Sequence, residues 1–156
     1  MIRLETTATG FRLWLGERLL MTHDANAPAF FVGEAVARMD MYRGNFDIED
    51  YVIERIALRH TVVEGNRLIL APAAGLPPAL VAEVAGSHLR LTGLGGQDRL
   101  WLRLVAEPDE HVWGGGEQMS YFDMRGRQFP MWTSEPGVGR DKTTEITRLS
   151  DVNGKA

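Results

Sequence analysis

The sequence contains no cysteine and, although 17 of its 156 residues are basic, only two are lysine. Without cysteine there is no disulfide, no thiolate nucleophile and no Cys-ligated zinc. That absence fits a cytoplasmic protein. No apolar run approaches the ~18 residues of a membrane span, so no membrane partner is expected. The start, MIRLETTATGF, lacks the basic, apolar and small-residue order of a signal peptide. There is no basic excess either: 17 basic and 21 acidic residues give a net charge of −4. A general nucleic-acid binder is therefore disfavoured, because too few cations are available to neutralise phosphates. The surplus of arginine over lysine suits planar contacts with carboxylate, phosphate or sulfonate. A compositional bias of the host genome explains it equally well.

What is present is ordinary globular composition, 44% hydrophobic and 24% charged, with no internal repeat. The first two-thirds reads as short strands separated by turns. Phe11, Leu13 and Leu15 alternate with Arg12 and Trp14. Gly16-Glu17 then suits a two-residue hairpin turn, with Arg18–Thr22 as the return strand. His60–Val63 and Arg67–Leu70 flank Glu64-Gly65-Asn66, which reads as a three-residue hairpin connection. Ala79–Val84, His88–Thr92 and Arg99–Ala106 continue the series. In the last, Leu100, Leu102 and Leu104 face one way, and Arg99, Trp101, Arg103 and Val105 the other. Asp47–Arg59 fits a helical stripe or an extended strand; its neighbours favour a strand from Tyr51 onward. The expected fold class is all-β, an antiparallel β-sandwich.

Composition shifts at Pro108. Trp113–Arg140 holds six of the 17 glycines and five of the 13 aromatics, with Pro130 and Pro136 inside it. Such a segment is no regular strand or helix. The expected division is a sandwich over 1–112, an aromatic and glycine-rich loop segment over 113–142, and a polar linker or tail over 143–156. Long loops of this kind are commonly functional. Flat aromatic faces and directional Arg, Glu and Gln side chains suit a sugar, although aromatics also serve simple packing.

Other motifs fail on context. His23, His60, His88 and His111 have no helical zinc spacing, and read as surface or strand-face residues. Gly114-Gly115-Gly116 lacks the Lys-Ser/Thr and the βαβ setting of a phosphate loop. Asp40, Asp47, Glu49, Asp50, Glu117, Asp123, Glu135 and Asp141 are plentiful, but spacing along a chain does not reveal a catalytic pair. Ser120 and Ser134 sit in no nucleophile elbow. No motif calls for a metal or cofactor.

Two blocks are more specific. Val112–Lys142 (VWGGGEQMSYFDMRGRQFPMWTSEPGVGRDK) and Met41–Tyr51 (MYRGNFDIEDY) resemble sulfosugar-acting members of glycoside hydrolase family 31, the sulfoquinovosidases. Gly114–Glu117 matches the wider family's glycine-glutamate motif, at the junction of an N-terminal sandwich with the catalytic barrel. Gln118–Asp123, Phe129–Glu135 and Gly137–Arg140 look like the sulfosugar version.

The resemblance implies a galactose-mutarotase-like N-terminal sandwich partnered by a (β/α)8 barrel of the same enzyme. The implied activity is retaining hydrolysis of α-linked sulfoquinovosides, such as sulfoquinovosyl glycerol; neutral α-glucosides are the alternative substrate. A free-standing sandwich for sugar binding or assembly is the non-catalytic alternative. The family's catalytic Asp pair and its sulfonate-reading Gln, Arg and Trp lie on the barrel, so no catalytic residue is assigned here. The resemblance places Glu135, Gln118, Trp132 and Arg140 on the aglycone side of the substrate, Glu135 foremost. Arg125 and Tyr42 are further candidates.

Overall fold

The computed structural model describes residues 1–42, 45–113 and 123–126. The described chain is all-β, with ten antiparallel strands in three sheets and no helix. It divides into two units: residues 1–36 with 50–106, and residues 37–49 with 107–156.

The first unit is built from hairpins. β1 (Ile2–Thr6), β2 (Gly10–Leu15) and β3 (Arg18–Asp24) form one sheet. β6 (His60–Glu64), β7 (Arg67–Ala71), β8 (Leu80–Ala85) and β9 (His88–Gly93) form another. β4 (Phe30–Tyr42) lies between β5 (Asn45–Ala57) and β10 (Arg99–Leu102) in the third, with residues 37–49 of β4, β5 and their connection counted in the second unit. Three of the turns use the same chemistry. Leu15 pairs with Arg18, Glu64 with Arg67 and Ala85 with His88, leaving Gly16-Glu17, Gly65-Asn66 and Gly86-Ser87 as two-residue loops. Each begins with a glycine at φ of 60–64°, which costs an L-residue with a Cβ steric energy. The connection after β6 is thus one residue shorter than the sequence suggests, because Glu64 joins the ladder.

Three other expectations shift. β5 is a strand throughout and begins six residues before Tyr51. β3 runs on to Asp24 rather than stopping at Thr22. β10 ends at Leu102, short of Ala106. Its Leu100 and Leu102 oppose Val32 and Phe30, on the face that carries core residues. They nevertheless stay 41% and 43% exposed, since β10 is an edge strand among the described residues.

Alternation delivers the core. Phe11, Leu13 and Met21 come from the first sheet and Phe30 and Val32 from β4. Leu68, Leu70, Leu80 and Ala82 come from the four-stranded sheet, with Leu58 just before it. Fully burying each large side chain contributes about 1.5–3 kcal/mol. The first and four-stranded sheets are also stitched by main chain, the Ile2 N–H donating to Gly86 O at 2.7 Å, while the Leu58 N–H extends the pairing of β5 with β4 by donating to Phe30 O at 3.0 Å.

One polar side chain lies in this core. His23 is 3% exposed, and its ring stacks on Phe11 at 4.8 Å with 10° between planes. Its Nδ1 accepts the Ala29 N–H at 3.1 Å. The proton therefore sits on Nε2, which donates to Thr61 Oγ1 at 3.1 Å. Burial disfavours the imidazolium and pushes the His23 pKa down from 6.5 to about 4, against the opposing pull of Asp24. Between those values only the unfolded chain takes up the proton. The stability contributed is full above pH 6.5, falls as pH drops, and is gone by about pH 4. The total is about 3 kcal/mol. Thermal unfolding followed from pH 7.5 to 4.5 should show this loss, and His23→Gln should flatten the slope.

Gly33 marks a close approach in the third sheet. A Cβ there would stand 2.0 Å from Glu54 O and 3.0 Å from Trp101 Cζ3. Since Glu54 O is main chain, relief requires the strand itself to move. Gly33→Ala is expected to cost about 1–3 kcal/mol, measured by denaturant unfolding.

Candidate functional site

In the second unit the residues before Gly114 and those around Asp123 are tied together by one carboxylate. Asp123 Oδ2 accepts a hydrogen bond from His111 Nδ1 at 2.6 Å. Its Oδ1 accepts the Val112 N–H at 3.1 Å and the Arg125 N–H at 3.0 Å. These donors favour the ionised form, so the pKa of Asp123 falls from 3.8 to about 2, the His111 hydrogen bond being the largest cause. The Met124 N–H donates to Val112 O at 2.8 Å. Arg125 Nη1 donates to Glu107 O at 2.5 Å and Glu110 O at 2.7 Å. The guanidinium thus completes the carbonyl side of the turn that Asp123 completes on the amide side. Trp113 stacks on His111, with ring centroids 5.5 Å apart and 26° between planes.

An ionised Asp123 fixes a proton on Nδ1, so that in the neutral ring Nε2 is the accepting nitrogen. His111 therefore differs from His23 in tautomer as well as in exposure, its side chain being 61% exposed. Its exposure agrees with the expectation of a surface or strand-face histidine. The only signal for the pair was a His and an Asp twelve residues apart in a glycine-rich stretch, and such spacing carries no contact information.

The first unit carries a second cluster on the sheet formed by β10, β4 and β5. The Arg55 guanidinium lies over Phe31 at 4.4 Å and Trp101 at 5.2 Å, and Arg103 lies over Phe31 at 5.8 Å. Such stacking screens aromatic faces from water while leaving the charge solvated. On the first sheet, Glu5 accepts from Trp14 Nε1 at 2.8 Å and from Arg3 and Arg12 at 3.3 and 3.2 Å. Asp24 caps its own turn through the Asn26 and Ala27 N–H groups, and Asp98 accepts the Ala35 N–H. These carboxylates hold the fold together and are already satisfied.

Glu135, Gln118, Trp132 and Arg140 lie outside the described residues, as does the Gly114–Glu117 motif. Tyr42 ends β4. Arg125 is brought to Asp123, where its described contacts are to main chain.

No family model matches the chain. It is 63% identical over 156 residues to a sulfoquinovosidase of Agrobacterium fabrum, covering 99% of this chain and 24% of that protein. It is 38% identical over 160 residues to a sulfoquinovosidase of Escherichia coli, covering 94% of this chain and 23% of that protein. Among solved structures, it matches a family 31 sulfoquinovosidase from E. rectale, in complex with an aza-sugar inhibitor, with a TM-score of 0.70 and 38% identity. That match covers 97% of this chain and 23% of the other. Over nearly its whole length the chain is therefore related to the family 31 glycoside hydrolases. Within that family its relatives are sulfoquinovosidases, and it spans about a quarter of their length.

Removing the organising carboxylate tests the turn. Asp123→Ala leaves three donors without an acceptor, so the Val112 and Arg125 amides should exchange hydrogen at least about tenfold faster. Asp123→Asn should be intermediate. Unchanged exchange in both variants would contradict this role.

Proposed function

We propose that this chain is the N-terminal β-sandwich region of a retaining α-glycosidase that hydrolyses sulfoquinovosides such as sulfoquinovosyl glycerol. The reading rests on the 63% identity to the Agrobacterium fabrum sulfoquinovosidase across 99% of the chain. The sandwich supports a (β/α)8 barrel in the same polypeptide, which carries the two carboxyls that retention requires about 5–5.5 Å apart. The segment 113–142 lines the mouth of that barrel. Glu135 hydrogen-bonds the leaving-group side of the substrate, for example glycerol hydroxyls, with Gln118, Trp132 and Arg140 beside it. We further infer a cytoplasmic enzyme from the absence of cysteine. Among the described residues no helix is long and apolar enough to cross a membrane.

The test is hydrolysis by the whole polypeptide that contains these residues. It should cleave sulfoquinovosyl glycerol with retention and prefer it to the corresponding neutral α-glucoside. Glu135→Ala should raise KM, or lower kcat/KM about tenfold, for the glycerol glycoside, in proportion to one lost polar contact. Preference for the neutral glucoside would overturn the sulfosugar reading. Unchanged kinetics in the variant would remove Glu135 from the site.

A further inference from the structure

Within the first unit, the sheet of β10, β4 and β5 has one face in the core and one outside it. Phe30 and Val32 belong to the core, so by alternation Phe31 and its cross-strand partner Trp101 stand on the other face. Arg55 reaches them from β5, 4.4 Å from the Phe31 ring and 5.2 Å from that of Trp101 on the far side of β4. Gly33 keeps β4 bare beside them, since a Cβ there would stand 3.0 Å from Trp101 Cζ3. Arg103 lies over the same Phe31 at 5.8 Å. Both arginines are exposed, and neither forms an ion pair with a described carboxylate. Of the described acids here, Asp98 pairs with Arg99 and accepts the Ala35 N–H. Glu34 and Glu54 alternate onto the opposite face, and Glu49 precedes Arg55 by about 20 Å of extended strand. Tyr51 and Ile53 share the face of Arg55 by the same alternation and are 62% and 65% exposed. Tryptophan, tyrosine and arginine in one cluster is the composition of interface hot spots. Guanidiniums with no acid of their own suit carboxylates brought by a partner.

The chain spans about a quarter of the length of its relatives. A surface on the same polypeptide meets this face at high effective concentration, an advantage that a second copy lacks. Resting on the reading of this chain as one region of a longer polypeptide, we propose that this face docks against the part of that polypeptide outside residues 1–156. Phe31, Tyr51, Ile53 and Trp101 supply the apolar contact. Arg55 and Arg103 pair with carboxylates of the docked part. The docking does not depend on which glycoside the whole polypeptide cleaves.

The experiment is arginine modification of the whole polypeptide by phenylglyoxal, mapped by peptide mass spectrometry. Arg55 and Arg103 should react at least about tenfold more slowly than in the same polypeptide unfolded in urea, since an interface core admits reagent only when it opens. The protection should survive a roughly hundredfold dilution, because an intramolecular contact is not governed by mass action. Reaction at the unfolded rate overturns the proposal. Protection lost on dilution assigns the face to a second copy and overturns it too. The carboxylates are tested with Arg55→Lys and Arg103→Lys in the whole polypeptide, each treated with a carbodiimide that joins amines to carboxylates without a spacer. The sequence has only two lysines of its own, so new links stand out. The expected link runs from position 55 or 103 to an Asp or Glu outside residues 1–156. Links confined to residues 1–156, or none in both variants, overturn the charge pairing. The intact mass of the natural polypeptide separates the two failures. A mass near 17.4 kDa removes the longer polypeptide and the docking with it, whereas a larger mass with unprotected arginines removes the docking alone.

Discussion

A single buried imidazole ties the three sheets of the first unit to one another. His23 belongs to β3, accepts from the main chain just before β4, and donates to a side chain of β6. Phe11 stacks on it, and Phe30 lies 6.1 Å away on the other sheet. A hydrocarbon side chain would fill the same volume, but would leave the Ala29 N–H without an acceptor in a dry core. That omission costs more than the hydrogen bond itself is worth. An ionised histidine would bring a charge into the same place. The core therefore needs this one residue in one protonation state and one tautomer. The surrounding leucines tolerate exchange far more readily, provided volume is conserved.

The second unit solves a similar problem with opposite means. Residues 107–113 and 123–126 lie in no strand, and their amides and carbonyls need partners from side chains. Asp123 supplies acceptors on one side and Arg125 supplies donors on the other. The histidine that this carboxylate engages stands at the surface, its side chain 61% exposed. The two histidines thus show how burial and a carboxylate select different tautomers and different roles for one residue type.

The hairpins were legible in the sequence because glycine punctuates them and the flanking residues alternate. Phe11 and Leu13 follow directly from that pattern, and Leu68, Leu70, Leu80 and Ala82 lie on strands that it marks. The Asp47–Arg59 stretch was less legible, because Tyr51, Val52 and Ile56 satisfy a helical period as well as a strand. Pairing with β4 decided it, and pairing is a long-range property. The exposure of Leu100 and Leu102 could not be read either, since an edge strand carries the same alternation as a central one. His23 sits on a strand as its neighbours imply, but neither its burial nor its partners at positions 29 and 61 are encoded locally. The blocks at Met41–Tyr51 and Val112–Lys142 carried the family resemblance, and the relatedness to sulfoquinovosidases agrees with it.

The dependence of the fold on His23 is tested most directly by 15N-detected NMR of the histidine side chains across pH 4–8. The account predicts a His23 ring protonated on Nε2 alone, with no titration until the pH approaches about 4, the value to which burial depresses it. A ring that titrates near 6.5, or that carries its proton on Nδ1, would contradict it, because the Ala29 N–H would then have no acceptor in the core.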